Sequence, residues 1–119
     1  MDETATKLKH ADLLYDYIKF HLGLYIATPP VLAIVATALG VATSPSFQHG
    51  MIGLVVIYFI AGVHASWTVA SRINSRWKTS AMWLEFGSAA HSLPRRILHH
   101  YLYWAGLLLG LLGIAGVVP

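Results

Sequence analysis

His64 is the residue whose surroundings most suggest chemistry. It is the only His, Asp, Glu, Lys or Arg in Met51–Ala70, MIGLVVIYFIAGVHASWTVA. An imidazole can exchange a proton near neutral pH, ligate a metal or line a polar path. A polar group in a run that apolar is costly, which makes it a functional candidate by default. The plainer reading is a hydrogen bond to Tyr58, Ser66 or a backbone carbonyl freed on a neighbouring helix. The functional reading is a pore-lining or proton-sensing histidine, with Tyr58 as a second lining candidate and Asp12 and Asp16, repeated around an oligomer, lining a vestibule or an inter-subunit contact.

A second group is cationic. Arg72, Arg76, Lys78, Arg95 and Arg96, with His91, His99 and His100, make a basic collar. Such collars bind anionic lipid headgroups and set topology. They could also receive an anionic regulator or an acidic protein partner. The net charge of +3 follows from the same topology rule, so no specific nucleic acid is expected. His99 and His100 are adjacent, hence about 100° apart on a helix, which makes a poor chelate alone, and no metal site is expected. Apart from Glu85, the acidic residues lie within the first sixteen positions. No phosphate-cradling glycine loop and no Ser/His/Asp set is apparent, so the chain does not read as an enzyme. It has no cysteine, which excludes disulfides and thiolate metal sites.

A bis-histidine haem needs two imidazoles at matched depth on facing helices. Counted back from Arg72, His64 lies ~12 Å into the apolar layer at ~1.5 Å per residue. His21, His99 and His100 flank charged residues, so no partner at that depth is expected within one chain, although a symmetric pair of His64 residues would supply one. The compact three-span layout and the His-Ala-Ser-Trp run at 64–67 loosely resemble membrane-anchor subunits of succinate dehydrogenase or fumarate reductase. That resemblance implies docking of a soluble partner, with haem or quinone nearby. Residues 72–77 read RINSRW, so the Asp-Tyr pair that follows the histidine in those anchors is missing.

The elements that must position these residues follow from composition. The chain is 56% hydrophobic and 11% charged, against about 25% charged in soluble domains. No Asp, Glu, Lys or Arg occurs between Lys19 and Arg72, or after Arg96. The expectation is an all-α integral membrane protein with three transmembrane helices and an amphipathic N-terminal helix. Residues 1–21 form that helix, with Thr6 as its cap, Leu13, Leu14, Tyr17, Ile18 and His21 on one face, and Lys9, Asp12, Asp16 and Lys19 on another. The first span is 22–43 with a break or hinge at Pro29 and Pro30. A short outer loop follows at 44–50, then the second span at 51–71. A basic linker at 72–96 carries a short interfacial helix and leads into a glycine-rich third span at 97–119.

Gly106, Gly110 and Gly113 form a small-residue packing stripe, and Ala33 and Gly40 belong to a comparable one. Depth counting places Pro29-Pro30, His64 and Gly110 in one layer. The acidic N-terminus and the long first apolar run do not suit a cleaved signal peptide. All Lys and Arg fall in two segments that three spans put on one side, so the N-terminus is cytoplasmic, the C-terminus is outside, and the location is the inner (cytoplasmic) membrane. The functional expectation is a small homo-oligomeric channel or permeabilising protein, by layout similar to bacterial defence or toxin effectors. The alternative is a non-conducting membrane-anchor subunit. No cofactor is expected in the first reading, and haem belongs to the second.

Overall fold

The computed structural model describes residues 2–78 and 98–119, with the backbone alone over 72–78. It is all-helical: α1 is Glu3–Ala38, α2 is Pro45–Lys78 and α3 is Leu98–Ile114. The stretches Glu3–Ala38 and Pro45–Ser71 are long and apolar enough to cross a membrane, and α3 is a shorter apolar helix. The interfacial helix expected within 79–94, and Arg95 and Arg96, lie outside the described residues.

The N-terminal amphipathic segment and the stretch expected as the first span are one helix. Asp2, rather than Thr6, caps it: the Asp2 carboxylate accepts from Ala5 N at 2.7 Å, and Thr6 Oγ1 donates to the Asp2 carbonyl at 3.0 Å. Aspartate is the stronger cap, and a carboxylate suits the positive helix end. Lys7 and Glu3 then pair one turn apart at 3.3 Å. The helix also continues through Pro29 and Pro30, where a break was expected. Thr28 Oγ1 donates to the Leu24 carbonyl at 2.7 Å just before them, which ties that turn down where the two prolines supply no amide donors.

α1 ends in a glycine cap. Gly40 takes φ +73°, Val41 N bonds Ala36 O at 2.9 Å, and Gly40 N bonds Thr37 O at 3.1 Å. α3 ends identically at Gly116, with φ +83° and bonds from Val117 N to Leu112 O and from Gly116 N to Gly113 O. A left-handed residue at that position satisfies the last carbonyls and favours glycine. α2 starts earlier than the apolar run. Ser44 Oγ accepts from Phe47 N at 3.1 Å, and Pro45 sits at the first helical position, where its missing N–H costs nothing. The connection between α1 and α2 is therefore 39–44, and residues 45–50, expected as part of that loop, are the first turns of α2.

The helices run up, down and up in a rod of 58 × 24 × 15 Å. α2 and α3 meet along glycines. A Cβ added at Gly113 would lie 3.0 Å from Ser46 O and 3.2 Å from the Phe47 Cα, and one at Gly50 would lie 2.9 Å from Leu109 O. Gly110 receives Leu32 of α1 and Leu54 of α2, and Gly106 receives the Tyr58 ring. Ala33 is half-buried and Gly40 exposed; Leu32 and Ala36 are the buried residues of that part of α1. The core is completed by Leu14, Ile18, Ala61 and Ala65. Much of the outward surface is apolar: Ile26, Phe59 and Trp67 are each over 70% exposed.

Candidate functional site

Three polar stripes converge at one level of the bundle. On α1, Tyr17, His21, Tyr25 and Thr28 recur at helical spacing. On α3, His99, His100 and Tyr103 continue the phase of the glycine seam. α2 contributes Tyr58 and His64, six residues apart. Because α2 runs antiparallel to α3, Tyr58 lies beside Gly106 and Tyr103 while His64 lies beside His99.

His99 is the centre, fully buried among the three helices. Its Nδ1 lies 3.0 Å from His64 Nδ1, and its Nε2 lies 2.6 Å from the Tyr17 hydroxyl. The same hydroxyl lies 2.7 Å from His100 Nε2. The His99 backbone carbonyl accepts from Tyr25 Oη at 3.2 Å. His21 Nδ1 lies 2.8 Å from the Tyr17 carbonyl. The His21 ring is 4.7 Å from that of His100 and 5.3 Å from that of His99, centre to centre.

A carbonyl only accepts, so His21 Nδ1 carries the hydrogen, and the neutral ring presents a lone pair at Nε2. The Tyr17 hydroxyl has one proton for two imidazole nitrogens. It donates to one of them and accepts N–H from the other. With neutral rings, His64, His99, Tyr17 and His100 form one directional chain that is self-consistent run either way. Such a chain can pass a proton along itself, and in either direction it presents one Nε2 lone pair, that of His99 or that of His100, beside that of His21.

The ligand nitrogens of His21, His99 and His100 all lie within 4.8 Å of one another. The adjacent pair His99-His100 makes a poor chelate alone, and it is α1 that brings a third ring to it. The expected depth separation of His64 and His99 is overturned by their 3.0 Å contact. The expected shared layer of His64 and Gly110 is overturned too, since Gly110 packs against Leu32 and Leu54. The remaining polar groups extend the centre inward. Tyr58, 3% exposed, donates to the Tyr103 carbonyl at 3.2 Å, and Thr28 Oγ1 is 3.4 Å from Tyr103 Oη.

Tyr58 thus lies in the chain's own core. Asp12 and Asp16 are exposed on the opposite face of α1, and Asp16 pairs with Lys19 at 3.7 Å. Arg72, Arg76 and Lys78 belong to the last turns of α2. Pro29 borders an open apolar groove of about 700 Å³ between α1 and α2, lined also by Val55, Phe59, Val63 and Trp67. In the sequence, Tyr17 and His21 read only as members of one face of the N-terminal helix. The signal that marks them is the shared spacing of Tyr17, His21, Tyr25 and Thr28, matched by His99 and Tyr103 on α3.

No protein-family model, curated protein or solved structure matches this chain.

Proposed function

We propose that the chain is a three-span protein of the inner membrane, N-terminus inside and C-terminus outside, working as a small non-conducting subunit that holds a polar centre near its cytoplasmic side and docks a soluble partner on its basic segments. One observation carries this reading. The imidazoles and phenols of the three helices turn inward and bond one another, whereas the outward faces of α1 and α2 around Ile26, Phe59 and Trp67 are apolar. Lipid suits that exterior, and a closed polar interior is how a membrane bundle satisfies such groups. The chain acts by binding, not catalysis. The test is affinity purification from native membranes. A soluble protein recovered in fixed ratio supports the reading; ion currents across a planar bilayer from the purified chain alone refute it.

A second reading, the homo-oligomeric channel with His64 and Tyr58 on its axis, is favoured by the open groove along Pro29, Val55, Phe59 and Trp67, which a second copy could fill. It needs His64 and Tyr58 to exchange their partners within the chain for water. A monomer in nanodiscs counts against it, because three short spans cannot enclose a pore.

A further inference from the structure

We propose that His21, His99 and His100 form a binding site for one divalent late first-row transition metal ion of the Zn²⁺ kind, with His64 as the outer residue that orients His99. The site goes beyond the docking reading and does not depend on it. His99 and His100 project from successive positions of α3, and α1 lays His21 across them, with ring centres 4.7 Å from His100 and 5.3 Å from His99. Three neutral imidazoles with a fourth position left for water is an established zinc geometry, with Zn–N bonds of ~2.0–2.1 Å and hence N···N separations of ~3.3 Å in a tetrahedron. The three nitrogens, now within 4.8 Å of one another, reach that spacing by ring rotation of an ångström or two.

The tautomers of His21 and His99 fit, and His100 ligates through Nε2 once its hydrogen moves to Nδ1. His21 Nδ1–H is held by the Tyr17 carbonyl at 2.8 Å, the outer bond that ligating histidines habitually make. His99 ligates through Nε2 only when its Nδ1 carries the hydrogen, and the acceptor for that hydrogen is His64 Nδ1 at 3.0 Å. The buried histidine of the second helix thus acquires a role without touching the metal. The Tyr17 hydroxyl, 2.6 and 2.7 Å from His99 and His100 Nε2, sits between two of the three ligand atoms. It gives up both bonds when the metal enters. His100 is only half-buried, which gives the ion a way in. Imidazole is a borderline donor suited to zinc, copper, nickel and cobalt, and the set contains no oxygen anion to favour Mg²⁺ or Ca²⁺.

The experiment uses the whole chain in nanodiscs, stripped with EDTA and with any polyhistidine tag removed. It is titrated with Co²⁺ for its visible spectrum and with Zn²⁺ against a chromophoric chelator. The expected result is one ion per chain, with the intense visible bands of tetrahedral Co²⁺ that Zn²⁺ abolishes. His21→Ala and His100→Ala lose at least ~10-fold in affinity and the tetrahedral spectrum. His64→Ala loses ~10–100-fold, as outer-shell changes do, and keeps the spectrum. His49→Ala, at the opposite end of α2, binds as the native chain does. Failure of the stripped native chain to take up one Co²⁺ or Zn²⁺ overturns the proposal on its own, whatever the variants do. So does native-like binding by folded His21→Ala and His100→Ala.

Discussion

His64 and His99 face each other nitrogen to nitrogen at 3.0 Å, one from α2 and one from α3. His99 is fully enclosed and also holds Tyr17, so His99→Ala leaves a cavity and removes one bond each from His64 and Tyr17. We expect it to destabilise the bundle by ~2–4 kcal/mol. His64→Ala removes the bond to His99 at a half-buried site and should cost ~1 kcal/mol, in line with side-chain bonds between membrane helices. Reversible unfolding in mixed micelles measures both. The double variant should fall short of the sum by about 0.5–1.5 kcal/mol; strict additivity would mean the two rings do not interact.

Glycines on this chain are not equivalent. At Gly113 the atoms awaiting a methyl group are the Ser46 carbonyl oxygen and the Cα atoms of Phe47 and Gly50, at 3.0–3.3 Å. Backbone cannot step aside as a side chain can, so Gly113→Ala should push α2 and α3 apart and cost ~1–3 kcal/mol. Gly23 has nothing within 4 Å, and Gly23→Ala should be neutral or stabilising by up to ~1 kcal/mol through helix propensity. The same unfolding assay ranks the two, and equal effects would contradict the seam.

Gly116 supplies the left-handed cap of α3 at φ +83°, and a Cβ added there would meet nothing within 4 Å. Gly116→Ala should therefore cost ~1 kcal/mol from backbone strain alone. Helix content by circular dichroism should hardly change while the unfolding midpoint falls. A loss confined to helix content, with the midpoint unmoved, would point to fraying instead.

Orientation is directly accessible because the chain has no cysteine. Thr4 and Gln48 are both exposed, at opposite ends of the rod. Thr4→Cys should react with a membrane-impermeant maleimide only in inverted vesicles, and Gln48→Cys only in right-side-out cells. The reverse pattern would rule out the N-in arrangement.

The helices themselves were legible in the amino-acid order, because long apolar runs and the charge-free intervals admit few alternatives. Their ends were less so. Ser44-Pro45 is a strong helix start, yet it precedes the apolar run, and hydrophobicity alone begins the second helix at Met51. Pro29-Pro30 argues locally for a break, whereas the surrounding helix carries straight through. The polar stripe on each helix was readable from spacing. The match between stripes was not. Depths counted from Arg72 and Arg96 assume that flanking cations sit at one height, but long cationic side chains reach the interface from different levels. The contacts put His99 beside His64, two turns of α2 before Arg72.

The glycine seam also acts as an angular key. His99, Gly106, Gly110 and Gly113 lie in one phase of α3 and are all buried, so the close fit of the glycines against α2 dictates which way the imidazoles point. Adding or deleting one residue between His100 and Gly106 turns everything upstream by about 100° and swings the rings away from α1. Such a change would leave length, composition and hydropathy almost untouched, yet it would disassemble the centre.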